Sequence, residues 1–148
     1  MRAVIQRVLK AEVSVEDKVV GAIGPGLLVF LGIEAGDSRT DADYICSKTI
    51  GLRVFDDTEG VPNLSVDEIG GSVLIVSQFT LCADARKGRR PSYIHAARPE
   101  EAKPLYTYCI EEIMKKVPVE TGQFQAEMQV SLVNSGPHTI LLDSRRKF

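Results

Sequence analysis

The chain has 148 residues, 44% of them hydrophobic and 26% charged, with a formal net charge of −2. That balance describes one globular domain with a real core and excludes a disordered chain or a broadly basic nucleic-acid coat. The longest apolar run, Leu27 to Ile33, is too short to span a bilayer and no signal-peptide pattern is seen, so a cytoplasmic protein with neither membrane nor DNA as partner is expected.

Residues 2 to 15 alternate loosely, with Val4, Val8, Val13 and Val15 apolar between Arg2, Gln6, Lys10 and Glu12. This predicts a long strand with one bulge, because the alternation changes phase once. "EDKVVG" predicts a tight turn and a second strand, and "GPG" at 24 to 26 a further turn into the buried strand "LLVFLGI". Ser38 and Thr40 are cap candidates for a helix with Asp41 and Asp43 in its first turn, and Ala42, Ile45, Cys46 and Ile50 fall on one face. "LRVFDD" reads as a short strand, Thr58 to Gly71 as a loop with one strand fragment, and "SVLIVSQFTL" as the strongest later strand. From Pro99 to Val117, apolar residues recur every three or four positions, which predicts the longest helix, with Pro104 near its start. Two strands, about 124 to 134 and 138 to 143, complete the chain. The order predicts a single α+β domain over residues 1–148, with largely antiparallel sheets, barrel-like or sandwich-like, and two main helices packed outside.

Cys46, Cys82 and Cys109 lack CxxC spacing, and His95 and His138 are the only histidines, in no ligand motif. No metal and no cofactor are therefore expected, and the cysteines read as reduced core residues. Two stretches break local rules. In "VSQFTLCAD" a hydrophobic strand runs into Ser77, Gln78 and Thr80, placed either to line a pocket or to bond nearby backbone. Thr80 has the atom of a nucleophile but, apart from Asp84, no local base to activate it. In "NSGP" a glycine and a proline interrupt two strand-like flanks, as a turn does, or as main chain presented to something else does. The basic run "RKGRR", with Arg86, Lys87, Arg89 and Arg90, suits either a solvated loop or phosphate contact.

"SQFTL" at 77 to 81 together with "NSGPHT" at 134 to 139 resembles the motif pair of the D-aminoacyl-tRNA deacylases. "MRAVIQRV", "LGI" and "KGRRPSY" resemble the same family, in the same order, over Met1 to Asp143. The resemblance implies a homodimer that hydrolyses the ester joining a D-amino acid to the 3′-terminal adenosine of an aminoacylated tRNA. It implies that Ser77, Gln78, Phe79 and Thr80 line the pocket. It implies too that Gly136 and Pro137, joined by a cis peptide, enter the partner subunit's pocket and exclude L-amino acids, with Arg7 supporting the motif. Phe79 matches the standard branch rather than the related animal deacylases, and glycyl-tRNA is a further substrate within the family. The chain departs from the pattern at His138, where valine is usual, at Ser135 and at Cys82.

The implied chemistry has two routes: attack by Thr80, or water organised by the terminal adenosine's 2′-hydroxyl with main-chain N–H groups of 77 to 80 holding the carbonyl. The missing base favours the second. Two rival readings are a non-catalytic RNA-binding module using "RKGRR" and Tyr93, and a hydrolase of small D-amino acid esters.

Overall fold

The computed structural model describes residues 1–148, and its α+β class, with two helices outside a barrel-like sheet, is the one expected. Strand β1 (Arg2–Val15) turns through Glu16 and Asp17, at φ of 49° and 62°, into β2 (Lys18–Ile23). Two left-handed residues match the right-handed twist of the strands they join. The expected reversal at Gly24-Pro25 does not occur. Val8 faces Gly26 just as Ala11 faces Ile23, so β2 and β3 (Gly26–Gly32) continue along the same edge of β1 in one register. The proline kinks that path without reversing it.

Helix α1 (Arg39–Gly51) follows, then the small ribbon of β4 (Phe55–Asp56) and β5 (Pro62–Leu64). Ser38 is its N-cap, and its N–H and hydroxyl donate to the Asp41 carboxylate at 2.8 and 3.0 Å. Strand β6 (Ser72–Ser77) lies parallel to β3, and β7 (Val119–Thr121), unanticipated from the sequence, lies parallel to β6. The sheet is therefore mixed. It curls until β2 approaches β7: a Cβ on Gly21 would lie 2.3 Å from the Thr121 carbonyl oxygen, so only glycine permits that contact.

Alternation along the strands fills two cores. Leu27, Val29, Val73 and Ile75 face the helices, where Ile45, Cys46, Tyr106, Cys109 and Ile113 meet them. Leu28, Leu74 and Val76 face inward and pack with Val8, Ala11, Val13 and Ile23. Each fully buried aliphatic side chain of this kind contributes about 1.5–3 kcal/mol. Helix α2 (Pro99–Met114) stops three residues short of the expected end.

The C-terminal strand differs most from expectation. Residues 124 to 128 are loop, and β8 (Gln129–Asp143) is one continuous strand antiparallel to β1 rather than two strands joined by a turn. It starts late because its partner strand runs out there: Gln129 pairs with Ser14, and β1 ends at Val15.

Candidate active site

Strands β3 and β6 end together, with Leu31 paired to Ser77. Beyond that pair the expected strand through "SQFTL" gives way to a 3₁₀ turn over Phe79–Cys82. The Gln78 N–H donates to the Leu31 carbonyl at 2.8 Å, and the first bond of the turn runs from the Leu81 N–H to the Gln78 carbonyl at 3.2 Å. Gly32 lets the turn close on the sheet, since a Cβ there would sit 2.9 Å from both the Gln78 oxygen and the Leu81 Cβ. Ser77, Gln78 and Phe79 are thus held at the mouth of a cavity of about 560 Å³. Leu31, Ile33 and Val76 form its floor, and Phe124, Ala126, Met128 and Val130 form a wall. Tyr106 supports that wall from α2: its hydroxyl donates to the Ile75 carbonyl at 3.0 Å and its ring lies 5.5 Å from Phe124. No side chain lining the cavity is ionisable.

Thr80 sits in the turn but is not among the lining residues. Its hydroxyl accepts a 2.6 Å hydrogen bond from the Gln78 side-chain amide, a donor rather than a base. Cys82 is buried beneath the turn, where burial, with the Glu34 carboxylate adding to it, pushes the thiol up to about 11. A protonated, enclosed thiol is no nucleophile.

The "NSGP" stretch is neither a hairpin turn nor part of the cavity. Gln6 pairs with Thr139 and Val8 with Asn134, so the four residues Ser135 to His138 stand opposite Arg7 alone. The ladder resumes on either side, and the extra residues bulge outward. Arg7 Nε donates to the Ser135 carbonyl at 3.1 Å, while its Nη1 reaches the Val54 carbonyl at 2.7 Å and the Asp56 carboxylate at 3.3 Å. Asn134 Nδ2 donates to the Arg7 carbonyl at 2.9 Å and to the His138 carbonyl at 3.2 Å, fastening the two ends of the bulge. The peptide bond between Gly136 and Pro137 is cis, and both residues are exposed. A Cβ added to Gly136 would meet only the Asn134 side-chain oxygen, at 3.6 Å. Nothing within the chain demands glycine there.

Arg86, Lys87, Arg89 and Arg90 lie in an exposed loop closed by paired backbone bonds between Asp84 and Ser92, of 2.8 and 2.9 Å. Arg86 is held by the Asp84 carboxylate at 2.7 Å, whereas Lys87, Arg89 and Arg90 make no ion pair. The structure therefore gathers Ser77, Gln78 and Phe79 at one pocket and leaves Gly136-Pro137 and the basic loop outside it. Sequence reasoning missed Asn134 as a brace and the wall from Phe124 to Val130. Apolar residues on a loop carry no local signal that they will line a cavity.

With the small mixed barrel, its non-ionisable pocket and the braced Gly-Pro bulge described, comparisons with known proteins point to one family. Residues 4–143 match the family model described as D-Tyr-tRNA(Tyr) deacylase. A D-aminoacyl-tRNA deacylase of Syntrophotalea carbinolica is 56% identical over 149 residues, covering all of both chains. One of Kosmotoga olearia is 53% identical, again over the whole of both. Among solved structures, a c-Myc DNA unwinding element binding protein superimposes with a TM-score of 0.92 at 37% identity, over 97% of this chain and 98% of that one. A probable eukaryotic D-amino acid tRNA deacylase shares the fold, with a TM-score of 0.77 at 17% identity, over 95% of this chain and 98% of that one. The chain belongs to the D-Tyr-tRNA(Tyr) deacylase family.

Proposed function

We propose that the chain, as a homodimer in the cytoplasm, hydrolyses the ester of D-aminoacyl-tRNA, releasing free D-amino acid and tRNA. Glycyl-tRNA is a second substrate of the same pocket. The observation that carries this reading is a pocket with no ionisable side chain, bordered by a 3₁₀ turn that presents main chain. An aminoacyl ester of ribose is already activated, so positioning and oxyanion stabilisation are enough. Water adds to the carbonyl, the bond from carbonyl carbon to the ribose 3′ oxygen breaks, and that oxygen takes the proton that water loses.

Because the Gln78 N–H is committed to Leu31, the N–H of Phe79, which opens the turn at the cavity mouth, is the donor for the oxyanion. Preorganised donors of this kind are each worth roughly 3 to 4 kcal/mol in acyl chemistry. The terminal adenosine's 2′-hydroxyl organises the water. Thr80, hydrogen-bonded to an amide and away from the cavity lining, holds the turn and does not attack.

Selection is by main chain. Gly136 and Pro137 of one protomer enter the other protomer's pocket, where carbonyl oxygens meet the substrate's Cα. An L-substituent clashes with them and a D-substituent points away, so many D side chains are accepted. Supporting this are the outward bulge, its bracing by Arg7 and Asn134, and the freedom of position 136 from contacts that require glycine. Isologous exchange of one patch between two copies completes both pockets.

The test compares D- and L-aminoacyl esters on whole tRNA with a small D-amino acid ester, using protein of measured oligomeric state. Turnover of the D-ester on tRNA alone, by a dimer, is expected. Turnover of the small ester at equal efficiency makes the protein a small-ester hydrolase. Full activity in a compact monomer removes the gate.

A further inference from the structure

Outside the pocket, one surface has a composition the reaction so far leaves unused. Phe79, 58% exposed, lines the cavity with one side and meets Tyr93 with the other, ring centres 5.2 Å apart and planes at 67°. Tyr93 is 42% exposed and Ile94 79%. Isolated exposed apolar side chains need no explanation, but these stand on fixed backbone. The Asp84–Ser92 pair closes the chain just before Tyr93, and the Ala35 N–H to the His95 carbonyl and the Ala97 N–H to the Ile33 carbonyl, both 2.9 Å, fasten it just after. The same hairpin carries Lys87, Arg89 and Arg90, cations without a carboxylate partner. Edge-to-face packing leaves ring faces open, and rings beside free cations suit unpaired nucleotides, whose bases stack while their phosphates meet the charge.

Resting on the deacylase reading above, we propose that Tyr93 and Phe79, flanked by Lys87, Arg89 and Arg90, form a stacking platform for the unpaired nucleotides immediately preceding the substrate's terminal adenosine. Phe79 belongs to both pocket and platform, so a strand end whose last residue enters the cavity passes over Tyr93. The platform gives whole tRNA an advantage over a bare aminoacyl nucleoside without touching the reacting ester. Tyr93 is a specificity residue, not a catalytic one.

The experiment measures kcat/KM for D-aminoacyl-tRNA and for the matching D-aminoacyl-adenosine with wild type, Tyr93→Ala and Tyr93→Phe. Tyr93→Ala is expected to lose about 5- to 150-fold on tRNA, the range for one base stacked on an aromatic ring, and nothing on the adenosine ester. Tyr93→Phe keeps both activities. An abasic nucleotide just before the terminal adenosine reproduces the loss in wild type, an arm that needs no variant to fold. Equal loss on both substrates makes Tyr93 a prop for Phe79 and overturns the platform, as does no loss on either or no effect of the abasic nucleotide. A dimer that becomes monomeric in Tyr93→Ala assigns the patch to a second copy of the chain and equally overturns it. If wild type cleaves neither ester, the deacylase reading fails by itself. Binding of uncharged tRNA then decides the platform: weakening by Tyr93→Ala upholds it, and unchanged binding ends it.

Discussion

Two neighbouring regions of this molecule use opposite chemistry. The pocket beside Ser77, Gln78 and Phe79 has no ionisable side chain. On the other side of the same 3₁₀ turn lies the densest charge cluster in the chain. Arg2 pairs with Glu34 at 2.9 Å and with Asp143 at 3.2 Å, and its Nη1 donates to the Leu81 carbonyl at 2.9 Å. The Met1 amino group lies 2.7 Å from Asp37, which Arg145 also reaches at 3.1 Å. A search for catalysis that follows titratable residues would choose the cluster. Yet its members are engaged in fastening chain ends and the back of the turn; even the Glu34 oxygen that accepts no hydrogen bond lies 3.7 Å from Arg145. Charge here fastens the chain, and in the proposed mechanism main chain does the chemistry.

That contrast breaks first at Arg2. Arg2→Ala takes from Asp143, fully buried, its ion-pair partner and from Glu34 its nearest cation, so stability should fall by about 3 kcal/mol, read from denaturant midpoints. Ligand chirality should not change. A variant of unaltered stability would mean that the cluster has a task other than fastening.

Gly136→Ala should do the reverse. The added methyl meets open space in the single chain, so the melting temperature should hold while turnover of D-esters drops about a hundredfold or more, some 2.7 kcal/mol. Normal activity and chirality in this variant would reduce the bulge to an ornament of the strand.

Removing two of Lys87, Arg89 and Arg90 should flatten the salt dependence of tRNA binding by about 0.7 to 0.9 for each phosphate that the loop no longer neutralises. An unchanged slope would return the loop to solvent. Thr80→Ala should cost less than about tenfold, less than replacing the terminal ribose by its 2′-deoxy form. A trapped acyl-threonine would reverse that order.

The smallest expected effect sharpens the comparison most. With no titratable group in the pocket, kcat should show no bell between about pH 5 and 8. A bell-shaped profile would place a side-chain base where none lines the cavity. Stability does respond to acid, in the charged region. At Asp41 burial works to raise the carboxyl, but hydrogen bonds from Ser144 and Ser38 outweigh it and hold it below its usual value. A depressed carboxylate stabilises fully above its unfolded pKa of about 3.9, and that contribution is lost as pH falls through the lower folded one.

What the sequence determined by itself was local. Apolar spacing marked α1 and α2, Ser38 marked the start of the first helix, and alternation marked β1 together with its bulge. The residues Ser77 to Thr80, Gly136 and Pro137 stood out only as a pair of stretches resembling one family's motifs, because each alone has an ordinary local reading. What lay beyond reach depended on partners far along the chain. "NSGP" has the composition of a turn, and only the pairing of Gln6 with Thr139 and Val8 with Asn134 makes it an outward bulge. Likewise Gly24-Pro25 has turn chemistry, yet β1 holds both flanks in one register and straightens the path. The strand expected through "SQFTL" stops at Ser77 because β3 ends there and the Gln78 N–H turns to Leu31. A strand's extent and direction are set by the hydrogen-bonding edge it finds, and that edge lies in another part of the chain.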